Sequence, residues 1–194
     1  LRALARRRAR DGVVAVPVAQ RRAVKDAVES LGVPHTEVGA VTVDDVEVDW
    51  SHRLDRGARV DVHPVTGPVP AGLTGRVRPP PPPTPLRVVA DVHLGTLARR
   101  LRVLGVDTRW RNDADDAELA DVAASEGRVL LSRDRGLLMR RRVVHGALVR
   151  ADDPDQQVVE VVDRLGLDGR TAPGTRCPRC NGEVEQVPAT SVWH

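Results

Sequence analysis

The chain has 194 residues, 41% of them hydrophobic and 29% charged, with a formal net charge of +3 at pH 7. That length holds one large domain or two small ones, and the balance is too apolar for a wholly disordered chain. No run of about 18 apolar residues suggests a membrane span, the basic start LRALARRRAR is not followed by the apolar stretch of a secretory signal, and two cysteines do not make a disulfide framework.

A cytoplasmic protein is the resulting expectation, and the start at Leu1 suggests a fragment. With no Phe, Tyr or Ile, its cores must be built from Val, Leu and Ala. Val13 to Val18 is a short β-branched run whose Pro17 suits an edge strand. From Arg21 to Leu31, apolar Val24, Ala27, Val28 and Leu31 recur at helical spacing, and Gly32 with Pro34 stops the helix. Val41, Val43, Val46 and Val48 flank the turn signal Asp44-Asp45 and predict a strand pair. The alternation from Arg59 to Val65 predicts another, half-buried strand. Strands around one helix in so short a length suggest a β-grasp, the ubiquitin-like arrangement, over residues 1–66. His35, His52 and His63 are scattered there and read as surface or turn residues. Residues 67–85, GPVPAGLTGRVRPPPPPTP, read as a stiff polyproline spacer.

Beyond the spacer the pattern alternates in the α/β manner. Strands are expected at Leu86 to Ala90, Val106 to Trp110, Val129 to Leu131 and Ala147 to Val149. Helices are expected at Leu94 to Leu104, Asp116 to Glu126, Gly136 to Arg142 and Gln156 to Leu165. Strands separated by helices imply a largely parallel sheet, in which ligands bind beyond the carboxyl ends of the strands.

Aspartates gather at those ends. Asp91 follows the first strand, Asp134 the third, and Asp152 with Asp153 the fourth, while Asp113, Asp115 and Asp116 open a helix. Carboxylates held together repel one another unless a cation lies between them, and Mg²⁺ or Mn²⁺ bound this way can activate water for phosphodiester hydrolysis. The same residues also suit helix caps and turns, and both readings stand at this point. Arginines fit phosphate: Arg99, Arg100 and Arg102 lie on the first helix, Arg133 and Arg135 flank Asp134, and Arg140 to Arg142 form a run. Residues 86–168 carry 14 basic and 15 acidic side chains, so acids and arginines interleave rather than forming a general polyanion surface. In the tail, Cys177 and Cys180 form a C-x-x-C knuckle able to offer two thiolates to Zn²⁺. Half a zinc ribbon, a lone thiol pair and a redox pair all remain open, with His194 as a further ligand candidate.

The segments VVADVHLGTLARRLRVLGVDT (88–108), RNDADDAELADVAASEGRVLLSRDRGLL (111–138), HGALVRADDPDQQ (145–157) and TRCPRCNGEVEQV (175–187) resemble the Mut-7 C-terminal RNase domain family of PIN-like nucleases. AVKDAVESLGVPHTEVGAVTVDDVEVD (23–49) is similar to the ubiquitin-like module that often precedes it. The resemblance implies a ubiquitin-like domain over 1–66, a linker over 67–85 and a PIN-like α/β domain over 86–168. Residues 169–194 would then be half of a zinc ribbon, with the second knuckle missing. It implies a metal-dependent ribonuclease acting on RNA, with Asp91, Asp116 and Asp134 as catalytic acids and Asp115 and Asp152 as further Mg²⁺ or Mn²⁺ ligands. Arg99 and Arg102 would meet the phosphate, and Cys177 with Cys180 would bind zinc if the ribbon is completed. The alternative is a non-catalytic RNA-binding or adaptor protein whose ubiquitin-like module docks protein partners.

Overall fold

Valine spacing and two-residue turn chemistry organise the N-terminal residues. The computed structural model describes residues 13–16, 21–66 and 68–188, so LRALARRRAR, His194 and part of the expected strand at 13–18 lie outside it. In chain order the elements are α1 (Val24–Ser30), a 3-10 turn (His35–Glu37), β1 (Val38–Val43), β2 (Val46–Glu47) and β3 (Val60–Pro64). There follow β4 (Arg87–Ala90), a 3-10 turn (Val92–Leu94), α2 (Gly95–Val103), β5 (Asp107–Trp110) and α3 (Asp116–Glu126). The last are β6 (Val129–Ser132), α4 (Arg135–Leu138), β7 (Gly146–Leu148) and α5 (Pro154–Leu165). Among the described residues no helix is long and apolar enough to cross a membrane.

The chain divides into two compact units: Leu1–Pro81 with Asp134–Leu148, and Pro82–Arg133 with Val149–His194. In the first unit an antiparallel sheet of order β2–β1–β3 accompanies α1, which buries Val24, Ala27 and Val28. Asp44 and Asp45 both have positive φ, 49° and 65°, and join β1 to β2 by the two-residue turn their sequence signalled. Of the expected strand at 13–18, the described residues 13–16 form only a single bridge, at Val13. Residues 74–76 of the proline-rich stretch are fastened to this unit, because their amides donate to the Glu47 carboxylate.

The second unit is built on β4, which pairs in parallel with β5 on one side and β6 on the other. Within this unit the strand order is β5–β4–β6, flanked by helices. Together with the small antiparallel sheet, this is the α/β architecture expected of a ubiquitin-like plus PIN-like chain. Leu94, Leu97, Leu101, Leu130 and Leu131 are fully buried. Each contributes roughly 1.5–3 kcal/mol of gross hydrophobic stabilisation, and so replaces the aromatics the chain lacks.

Several helix boundaries differ from the sequence reading: α1 spans Val24–Ser30 within the stretch read from Arg21 to Leu31, and α2 spans Gly95–Val103 rather than Leu94 to Leu104. The helix expected to reach Arg142 stops at Leu138, because Leu137 and Leu138 fill the core while Arg140, Arg141 and Arg142 have no apolar face to bury. The last helix starts earlier, at Pro154, where proline's fixed φ suits the first turn and Asp153 caps the amides of Asp155 and Gln156.

Candidate active site

A continuous apolar strand ending in an acid places one carboxylate at the centre of the sheet. Asp91 follows β4 directly, and its N–H donates to the Leu131 carbonyl at 3.0 Å, extending the parallel ladder by one residue. Its side chain is buried, the residue being 5% exposed, and Ser132 at the end of β6 donates its hydroxyl to Asp91 Oδ2 at 2.6 Å. Two adjacent strand ends therefore supply a carboxylate and a hydroxyl, both withdrawn from solvent. The third strand end carries Trp110, whose Nε1–H donates to the Val92 carbonyl at 3.2 Å. Its ring lies so close to the start of α2 that a Cβ on Gly95 would fall 2.6 Å from Cζ2. Only glycine leaves room for that indole beside Asp91's own 3-10 turn.

The other acids take different places. Asp115 caps α3 by accepting from the Glu118 amide at 2.8 Å, and Asp116 is the first residue of that helix, half-buried. Asp152 is exposed and paired with Arg133. Asp134 belongs to the first unit, where it caps α4 by accepting from the Gly136 amide at 2.6 Å. Arg99 is exposed on α2. Among the described residues, no three His, Cys, Asp or Glu side chains come together closely enough to hold a metal ion.

Arg102 is placed elsewhere. It is 3% exposed and donates from Nε to the Thr108 carbonyl at 2.8 Å. From Nη1 it donates to the carbonyls of Pro178 and Arg179, at 3.1 and 2.9 Å. Its guanidinium thus clasps the C-x-x-C loop. Asn181, at φ 68°, completes the grip by accepting from the Thr108 amide at 3.0 Å and donating to Asp107 at 2.8 Å. Burial opposes ionisation of Asp107, yet hydrogen bonds from Arg128 and Asn181 hold its carboxyl below the usual range. Within the loop, the amides of Cys180 and Arg179 point at the Cys177 sulfur and lower its thiol pKa. Both cysteines are free.

Sequence reasoning missed Ser132, because a hydroxyl on one parallel strand and an acid on another are 41 residues apart in sequence. It also missed Glu37, a 2%-exposed carboxylate in the first 3-10 turn, and read His35 as a surface or turn residue although its side chain is largely buried and bonded through both ring nitrogens. What sets Ser132 beside Asp91 is the register of β6 with β4, in which Ala90 pairs with Leu131.

No curated protein and no solved structure matches the chain. Two family comparisons do: residues 1–69 match Mut7-C ubiquitin, and residues 86–194 match the Mut7-C RNAse domain. With more than half of its length in the second match and the order of the two modules kept, the chain belongs to the Mut7-C RNAse domain family.

Proposed function

We propose that the chain is a ribonuclease that hydrolyses RNA phosphodiester bonds at the strand ends around Asp91. The supporting observation is the buried Asp91–Ser132 pair at the carboxyl edge of a parallel sheet, in a chain of an RNase family. The oxygen donors suit a hard divalent ion in kind. Mg²⁺ or Mn²⁺ is commonly held by one or two carboxylates together with waters and substrate phosphates, which is how a single central acid would serve. Such an ion, when bound, supplies charge neutralisation and an acidified water.

The remaining roles belong to the chain. Asp91 is the central ligand, fixed by the Ser132 hydroxyl, which lowers its freedom to rotate. The family resemblance carries Asp116 and Asp134 as further catalytic acids and Asp115 and Asp152 as further metal ligands; Asp115 and Asp134 also cap helices, and Asp152 pairs with Arg133. Arg99, exposed one turn into α2, meets the phosphate and stabilises charge that develops on it. Arg102 serves by anchoring the knuckle, since Nε and Nη1 are committed to carbonyls. Cys177 and Cys180 fit half of a tetrahedral zinc site and need two further ligands.

Cleavage of labelled RNA with Mg²⁺ or Mn²⁺ tests the reading. Asp91→Asn is expected to lower the rate by roughly 100- to 1000-fold with the circular dichroism spectrum unchanged. Undiminished cleavage by that variant would remove Asp91 from the site. RNA retained by the wild type and never cut would instead favour a binding or adaptor role.

A further inference from the structure

The chain has no Phe and no Tyr, and Trp110 is one of its three tryptophans. Among the described residues every buried hydrophobic side chain is Val, Leu or Ala, so packing elsewhere is done without an indole. Trp110 stands at the carboxyl end of β5, in parallel register with Ala90, the residue just before Asp91. Its ring turns toward the 3-10 turn that Asp91 opens, and Nε1–H donates to the Val92 carbonyl at 3.2 Å. A Cβ built on Gly95 would lie 2.6 Å from Cζ2 and almost equally far, 3.0 and 3.1 Å, from its bonded neighbours Cε2 and Cη2. That point therefore lies over the face of the ring, because an approach in the ring plane would leave both neighbours farther away. One face of the indole rests on the glycine that opens α2, yet the residue stays half-buried, partly open to solvent. Arg99 lies four residues beyond Gly95, one turn along the same helix face, and is exposed.

A ring fixed on one face and by its N–H loses little further freedom when a planar ligand meets it. Stacking on such a ring is available to every base, whatever its hydrogen-bonding edge. We propose that Trp110 forms a nucleobase subsite beside Asp91, stacking the base next to the phosphate that is cut. The subsite selects single-stranded RNA, since a base within a duplex already has both faces covered. The proposal rests on the ribonuclease reading above. It divides the recognition of one nucleotide between Arg99, which meets the phosphate, and Trp110, which meets the base.

The test uses the full chain and a short labelled single-stranded RNA. Once the cut is mapped, the same RNA is made with an abasic nucleotide on one side or the other of that phosphate. For the wild type, one of the two placements should raise KM roughly 10- to 100-fold with kcat unchanged, as loss of uniform binding does. Trp110→Leu should raise KM as much on the intact RNA and lose nothing more on that abasic RNA, with Trp110→Phe between the two. A merely structural role would instead weaken intact and abasic RNA alike in W110L, and that result overturns the proposal. A wild type that cuts intact and abasic RNA equally well also overturns it, needs no variant to fold, and leaves the ribonuclease reading intact. Binding without divalent ions gives a second readout: single-stranded RNA should quench the tryptophan fluorescence of the wild type more than that of W110F, and equal quenching overturns the subsite. A wild type that cuts no RNA but shows the Trp110-dependent quench supports the subsite while removing the ribonuclease reading.

Discussion

Glu47 shows how far one half-buried carboxylate can organise a segment that composition marks as a spacer. It accepts from the Thr74 amide and hydroxyl at 2.7 and 2.8 Å, and from the amides of Gly75 and Arg76 at 2.7 and 2.9 Å. These bonds, led by the Thr74 and Arg76 amides, hold its carboxyl at about 2, against an ordinary value of 4.5. Because the folded value is depressed, the clasp is fully present above the ordinary value and is lost as pH falls through the folded one. In an NMR titration the amides of Thr74, Gly75 and Arg76 should therefore shift with a midpoint near 2; a midpoint at the ordinary value would show that the clasp does not form. Sequence could place Asp91, because an acid directly after an apolar strand is a pattern of neighbours. It could not place Glu47, Glu37 or Ser132, whose partners lie 27 to 111 residues away and are chosen by sheet register and packing.

At the scale of elements, hydrophobic periodicity was a sound guide wherever an apolar face is buried. The helices through Leu97 and Leu101, and through Leu119 and Ala123, lie where their spacing predicts. The helix expected to reach Arg142 failed at Arg140–Arg142, where no apolar face continues. The join between α2 and the tail rests on backbone contact that residue type signals only faintly. Gly105 ends the turn after α2 at φ +84°, and a Cβ there would lie 2.0 Å from the Ala172 carbonyl oxygen. Gly105→Ala therefore meets both an unfavourable dihedral and a backbone clash. It should cost about 1–3 kcal/mol and lower the thermal midpoint, as calorimetry would measure. An unchanged midpoint would mean that the tail does not pack there.

At the scale of the molecule, sequence divides the chain at its prolines, and the two family matches, 1–69 and 86–194, fall on either side. Packing draws a different line. Residues 134–148 lie within the stretch that matches the RNAse domain yet cluster with Leu1–Pro81. A polypeptide beginning at Pro82 would lack His35, Thr36 and Glu37, the groups that hold this segment. Its Leu148 amide should exchange faster than in the full chain, and proteases should cut sooner at Arg140–Arg142, as mass spectrometry of digests would reveal. Equal exchange and equal cutting would show that the RNAse segment orders itself unaided.

The clasp of Arg102 on the carbonyls of Pro178 and Arg179 bears on a different question, the order of events. Small zinc modules commonly draw their folding free energy from the metal and collapse when a chelator removes it. Here the loop around Cys177 and Cys180 is held by an arginine buried in the neighbouring helix, so protein contacts alone support its shape. Were the proposed zinc to bind there, its capture would spend little entropy on ordering the chain, and its removal would leave the rest of the domain standing.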